Sequence, residues 1–362
     1  MDKMVSGEYV YCGNDLFSFL NPSENDMLYD ISNSDKLCLR NLMKQYYLEL
    51  RKNLGISKDV TFGLEIEFES LYTHVIEKEM MRIFGDNSWC MVPEDSILNG
   101  AEINSSVLTD SEETWDTLDT VCNIVRSNAN ICDLASGHIH IGTQILGNNP
   151  KYWRNFALLW STYENIIFRF LYGEYISHRS VIEKYAMPIS KDIIDNLDRI
   201  EERSKMTSSY YILKLFDLGD DSVKLRRRKS VNFTNVTKLQ PYMYNRVASM
   251  NTVEYRSPNG TFDSVIWQNN VNLIVKLMLY CKSDKFNEDV IRRRMKQVSD
   301  AGIPSNIYRY SRIYYDQAFE FADLIFDNNL DKIYFLRQYI KDGMVSSQPL
   351  VKSEGFTRKR EK

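Results

Sequence analysis

Four short stretches of the chain alternate apolar and ionisable residues with a period of two, as strands do when one face packs and the other carries charge. In the first, Gly63-Leu64-Glu65-Ile66-Glu67-Phe68-Glu69, the apolar side chains share one face and three carboxylates share the other. The second is a hairpin: Trp89 to Ile97, the turn Asn99-Gly100, then Ala101-Glu102-Ile103-Asn104, with Ile103 opposite Glu102 and Asn104. The third, Gly137-His138-Ile139-His140-Ile141-Gly142, sets two imidazoles side by side. The fourth, Thr252-Val253-Glu254-Tyr255-Arg256, puts Glu254 and Arg256 on one face and Val253 and Tyr255 on the other.

Elsewhere the spacing turns helical. Leu39, Leu42, Met43, Tyr46 and Tyr47 predict a helix within Leu37 to Leu54, and Ile76 to Phe84 predicts another, stopped by Gly85-Asp86-Asn87. Thr109-Asp110-Ser111-Glu112 reads as a capping box ahead of Trp115, Leu118, Val121, Cys122 and Val125. Tyr152 to Tyr172 is the most apolar helix, and Asp263 to about Cys281 forms one more. Residues 177 to 224 show mixed patterning, and 283 to 345 read as further helices. No internal repeat is present. If the four strands are neighbours, one sheet face packs on helices and the other becomes an acidic trough.

Composition agrees with a globular chain: 362 residues, 43% hydrophobic and 26% charged, enough for a sizeable core. With 45 basic and 49 acidic residues the net charge is −4, so no global field draws the protein to nucleic acid or an anionic membrane. The amino-terminal stretch lacks an uninterrupted apolar segment, and Val271 to Cys281, the most apolar run, is short and interrupted by Asn272 and Lys276. Neither a signal peptide nor a transmembrane helix is expected. The six cysteines form no C-x-x-C pair and no zinc-like spacing. Reduced, mostly buried thiols and a cytoplasmic location are expected.

Charge decides what fills such a trough. Carboxylates two residues apart on a strand lie about 7 Å from each other, and several on one buried face require positive charge among them. Glu65, Glu67, Glu102 and Glu254 would carry roughly −4, which two divalent cations would balance. Mostly oxygen ligands with one histidine, from the pair His138 and His140, suit magnesium or manganese better than zinc. Arg226, Arg227, Arg228 and Lys229, together with Arg256, offer donors for phosphate oxygens. Metal carboxylates beside such arginines are the parts of phosphoryl transfer from a nucleotide. Taken singly, Glu-x-Glu is an ordinary solvated strand face, the basic run a solvated patch, and Glu254 with Arg256 a surface ion pair. The argument rests on their conjunction.

In this order, Gly63 to Phe68, Gly100-Ala101-Glu102-Ile103, Gly137 to Gly142, and Thr252 to Arg256 with Asn259-Gly260-Thr261 resemble the amidoligase family of the carboxylate–amine ligase superfamily, beside glutamine synthetase and glutamate–cysteine ligase. Ser230-Val231-Asn232-Phe233-Thr234 is similar to the family's Asn-containing strand before its Glu-x-Arg motif. The resemblance implies an α+β fold with a curved, mainly antiparallel sheet, helices on one face and the active site on the concave face. It implies an ATP-dependent ligase joining a carboxylate to an amine through an acyl phosphate. Glu65, Glu67, Glu102, His138 and Glu254 would then hold two divalent ions, Mg2+ or Mn2+. Arg256 would stabilise the transferring phosphoryl group, with Glu254 beside it in the catalytic pair, and Arg227 or Arg228 and Asn232 would meet ATP. The role of His140 stays open, and Glu69 is placed at the rim, outside the site.

This reading divides the chain into an appendage (1–58), a catalytic core (59–282), a helical segment (283–345) and a basic, flexible tail (346–362). The alternatives are a kinase or other phosphotransferase on the same sheet, a metal-dependent phosphohydrolase, or a non-catalytic binding or structural derivative. Expected partners are ATP, an acid and an amine, each a small molecule, peptide or protein; neither a membrane nor nucleic acid is expected. The identities of the acid and amine and the oligomeric state are not legible.

Overall fold

The first alternating stretch forms strand β1 (Phe62–Glu69) in the computed structural model, which describes residues 48–85, 89–205, 227–236, 251–310, 314–341 and 352–353. The hairpin forms β2 (Trp89–Glu94) and β3 (Gly100–Ser105), and the two remaining stretches form β4 (Gly137–Gly142) and β6 (Thr252–Tyr255). A two-residue strand, β5 (Val231–Asn232), completes a six-stranded sheet in the order β2-β3-β1-β4-β6-β5. Every pairing is antiparallel, so the architecture is α+β.

Register does the work that sequence distance could not. Glu67 lies opposite Glu102, Glu65 opposite His138, His140 opposite Glu254, and Glu254 opposite Asn232. Leu64, Ile66, Phe68, Ile103, Ile139, Ile141, Val253 and Tyr255 go to the other face and join the main hydrophobic core. A one-residue slip in any ladder would drive carboxylates into that core, so burial of the apolar face fixes the alignment of the charged one. The hairpin turn adds a local constraint. Asn99 has φ of 54°, and a Cβ on Gly100 would fall 2.5 Å from Ile97 Cβ.

Helices α1 (Thr73–Phe84), α2 (Glu112–Arg126) and α3 (Pro150–Leu171) form where the spacing predicts them. Three short helices follow: α4 (Ile182–Tyr185), α5 (Ser190–Asp195) and α6 (Leu197–Ser204). After β6 come α7 (Ser264–Cys281), α8 (Glu288–Asp300), α9 (Tyr315–Ile325) and α10 (Asn329–Ile340). Helix α3 is the hub, touching α5 through α10. Because it is enclosed, its polar residues bond inward: Asn155 Nδ2 donates to Cys281 O at 2.8 Å, and Tyr163 Oη donates to Glu320 Oε1 at 2.8 Å.

Two local readings change. Residues 48–54 are not helical; the rest of the helix expected over Leu37 to Leu54 lies outside the described residues. Leu54 instead enters the main core, and Arg51 pairs with Asp331 of α10. Helix α2 is capped by Ser111, whose Oγ accepts from Thr114 N at 3.1 Å, rather than by Thr109. Asp110 is drawn elsewhere: its carboxylate accepts from Leu54 N, Ile56 N and Trp115 Nε1.

Gly137 opens β4 against α7. A Cβ there would lie 2.2 Å from the Trp267 ring, whose Nε1 is held by Thr261 O at 3.0 Å. Gly137→Ala is therefore expected to cost about 1–3 kcal/mol of stability through overpacking, read as a lower urea midpoint. An unchanged midpoint would show that Trp267 can move aside.

Among the described residues no helix is long and apolar enough to cross a membrane. The described cysteines are free thiols; Cys122, Cys132 and Cys281 are buried and Cys90 is exposed. Cys12 and Cys38 lie outside the described residues.

Candidate active site

On the sheet face opposite the core, Glu65 is the hinge of a row of ionisable groups. Its Oε2 lies 2.5 Å from His138 Nδ1 and its Oε1 2.7 Å from His140 Nε2. Each imidazole is held at its far nitrogen, His138 Nε2 by Ser136 Oγ at 3.1 Å and His140 Nδ1 by Thr252 Oγ1 at 3.2 Å. Glu67 accepts from Ser136 N at 2.8 Å and lies 3.6 Å from His138 Nε2. Glu254 accepts from Asn232 Nδ2 at 2.6 Å and forms an ion pair with Arg256. Glu67, His138, His140 and Glu254 are buried; the Glu65 side chain is 21% exposed.

The electrostatics follow from that crowding. Burial would raise the Glu65 carboxyl, but hydrogen bonds from both imidazoles overcome it and hold the group well below the usual carboxylate range. Burial and the Arg256 charge would lower His138, but Glu65 and Glu67 win and its pKa rises. At Glu102 the His138 charge and a hydrogen bond from Asn104 Nδ2 act in the lowering sense but do not offset the opposing causes. Burial and the neighbouring Glu65 charge push its carboxyl up to about 7.

Three sets of ligand atoms, each within 4.8 Å of one another, run along the row: Glu65, His140 and Glu254; Glu65, Glu102 and His138; Glu67, Glu94 and Glu102. Glu65 and Glu102 each belong to two of these sets. Carboxylate oxygens with one imidazole or none are the donors that hard divalent cations take. The raised Glu102 carboxyl marks where positive charge is wanting, so these residues fit such an ion.

All five acidic and imidazole residues singled out in the sequence, Glu65, Glu67, Glu102, His138 and Glu254, meet in this row, with Asn232 and Arg256 at its β5–β6 end. Arg256 Nε also donates to Tyr185 O at 3.1 Å, and the Arg228 guanidinium lies 5.5 Å from the Tyr185 ring. Arg227 is exposed on the turn before β5. Lys229 is turned away to Asp192 at 2.7 Å, and Arg226 lies outside the described residues. Glu69 is buried, not at a solvated rim; Ser353 Oγ contacts its two oxygens at 3.1 and 3.2 Å.

Three residues add to the expected set. His140 shares Glu65 with His138. Glu94 reaches the row because β2 places it two residues beyond Val92, the partner of Glu102. Arg179, in a stretch without readable periodicity, is buried and donates to Arg256 O and Pro258 O at 2.7 Å each. Burial lowers its pKa to about 10, with Glu67 acting in the opposite sense, so it stays charged at neutral pH. It fixes the backbone just beyond the Glu254–Arg256 pair.

A family model described as "Putative amidoligase enzyme" matches residues 73–278. That span contains Glu94, Glu102, His138, His140, Glu254 and Arg256, whereas β1 with Glu65 and Glu67 precedes it. No curated protein matches the chain.

Proposed function

The chain belongs to the amidoligase family, and we propose that it joins a carboxylate to an amine in a reaction driven by ATP. The observation that carries this reading is the buried row of carboxylates and imidazoles ending at Arg256. On this reading the sheet is the curved, glutamine synthetase-like one, with the row on its concave face.

Glu65, Glu67, Glu102, His138 and Glu254 would hold two divalent ions, Mg2+ or Mn2+, which supply Lewis-acid stabilisation of phosphate charge. A substrate carboxylate oxygen attacks the γ-phosphorus of ATP, and the bond to ADP breaks. The amine nitrogen then attacks the acyl carbon, phosphate leaves with the C–O electron pair, and the amine gives up a proton. Arg256 would meet negative charge on the transferring group, and Arg228 and Arg227, on the turn before β5, would meet the nucleotide. Asn232 positions Glu254 through its Nδ2 hydrogen bond. Asn232 as a direct ATP contact is the weaker assignment, since Nδ2 is already given to Glu254 and Oδ1 accepts from Thr234.

The test is an ADP-release screen over paired acids and amines with magnesium, followed by mass spectrometry. A ligase releases phosphate in step with ADP and only when both substrates are present. A stable phosphorylated product would favour the kinase reading. Nucleotide binding that ignored both magnesium and substitution of Glu65 and Glu67 would overturn the proposal.

The raised Glu102 carboxyl gives a pH signature. A cation binds the carboxylate, so below pH 7 it must displace a proton. On top of the pH dependence contributed by the raised His138 imidazole, protonation of Glu102 is expected to weaken manganese affinity by up to about tenfold for each pH unit below 7. In Glu102→Gln that dependence should flatten; the same slope in both proteins would remove Glu102 from the ion's surroundings.

A further inference from the structure

Ser136 stands immediately before β4, is buried, and touches two residues of the row at once. Its N–H donates to Glu67 Oε2 at 2.8 Å, and its Oγ lies 3.1 Å from His138 Nε2. Its carbonyl accepts from Glu67 N at 3.1 Å, so both backbone groups of Ser136 are tied to Glu67. The following residue is held as well, Gly137 N donating to Pro258 O at 3.1 Å. The serine hydroxyl is therefore fixed beside the imidazole by backbone bonds on either side of it.

The partners of the His138 ring say which nitrogen is left for an ion. An ionised carboxylate only accepts, so Glu65 Oε2, 2.5 Å from Nδ1, takes the hydrogen of that nitrogen. Histidines that ligate metals are held in this way, one N–H given to a carboxylate and the other nitrogen given to the ion. Nε2 is then the ligating atom. Two oxygens lie near it, Ser136 Oγ at 3.1 Å and Glu67 Oε1 at 3.6 Å. Glu67 gives its other oxygen to Ser136 N, and Oε1 has no hydrogen-bond partner among the described residues. Ligands about 2.1 Å from an octahedral ion stand about 3 Å from one another at adjacent corners. The serine oxygen and the imidazole nitrogen already have that separation, and the Glu67 oxygen reaches it by a small side-chain shift.

We propose that Ser136 is itself a ligand of a divalent ion in the row, its hydroxyl oxygen sharing one coordination sphere with His138 Nε2 and Glu67 Oε1. Serine hydroxyls serve hard cations in this way in nucleotide sites. The assignment rests on the metal-dependent reading above and adds a neutral oxygen to a set of carboxylates and imidazole. Glu65 keeps the His138 ring oriented toward it.

The test is a manganese titration of the full chain by calorimetry, beside a cadmium titration followed by thiolate-to-metal absorption in the ultraviolet. Ser136→Ala is expected to weaken manganese at least about tenfold. Ser136→Cys places a soft sulfur where the hydroxyl oxygen was, so manganese should weaken while cadmium tightens at least about tenfold, with added thiolate absorption. The six native cysteines are common to both proteins, so the difference between them is the signal. A serine that only steers the His138 ring would lose manganese in Ser136→Ala yet gain no cadmium in Ser136→Cys, and that pattern would overturn the assignment. Unchanged manganese affinity in Ser136→Ala would overturn it too. Loss of manganese in Glu65→Gln but not in Ser136→Ala would keep the ion in the row and remove Ser136 from its ligands. No manganese binding by the unmodified chain would sink both this assignment and the reading it rests on. Should Ser136→Ala fail to fold, Ser136→Cys decides, since it differs by one atom.

Discussion

Glu65→Gln is expected to cut magnesium-dependent ADP release by about two to three orders of magnitude while the protein stays folded, the scale seen when one preorganised charge-stabilising group is lost. The glutamine keeps the shape but not the charge. Glu65 belongs to two of the three candidate ligand sets and is the acceptor for both His138 and His140. An amide can accept from one imidazole through its oxygen, but its NH2 group then confronts the other ring. Circular dichroism should report a native fold, and a manganese titration should show weakened or missing binding. Turnover near that of the unmodified protein would remove Glu65 from the site and, with it, the central premise of the proposal. Glu69→Gln is the matched control, two strand repeats away and in none of the ligand sets.

The second large effect is on stability. Glu164 is fully buried in α3, and its carboxylate accepts from Trp160 Nε1, Ile189 N, Ser190 N and Ser230 Oγ, at 2.8, 2.9, 2.7 and 2.9 Å. It therefore joins the hub helix to the start of α5 and to the chain entering β5. Ser230 O in turn accepts from Arg256 N at 2.9 Å. Glu164→Gln replaces one acceptor oxygen with a donor facing other donors, and leaving buried N–H groups unmet costs about 1–3 kcal/mol each. A loss of about 3 kcal/mol is expected, seen as a lower urea midpoint with an unchanged slope. A smaller rise in KM for ATP should accompany it, because the support beneath Arg256 loosens. A midpoint equal to that of the unmodified protein would show that the network is dispensable.

The strands were legible because their two-residue period is written into Leu64, Ile66 and Phe68 against Glu65 and Glu67, and repeated in β3, β4 and β6. That alternation put Glu65, Glu67, Glu102, Glu254 and both histidines on the polar faces, and the family resemblance chose His138 over His140. Which strand lies beside which was not legible, since nothing local says that Glu67 meets Glu102 while Glu65 meets His138. That alignment is set by the shared core behind the sheet. Glu94 was overlooked because its place depends on the hairpin's register, and Arg179 because its neighbours follow no period. Asp110 shows the opposite failure. It reads locally as part of a helix cap, but Leu54, Ile56 and Trp115 offer it a better-buried set of donors.

The strand order also governs when the row can exist at all. β1 lies between β3 and β4, and β6 joins only from the far end of the match, so the set of Glu65, His140 and Glu254 waits on distant strands, and even Glu67, Glu94 and Glu102 sit on three separate ones. Each forms only once its strands have paired, which brings mutually repelling carboxylates together. A cation that takes the row thus has no comparable foothold on the unfolded chain, and its binding energy counts in full toward the folded state, about 2.7 kcal/mol at a hundredfold excess over Kd. A chelator would then act as a mild denaturant, and the ion as the closing fastener of the fold.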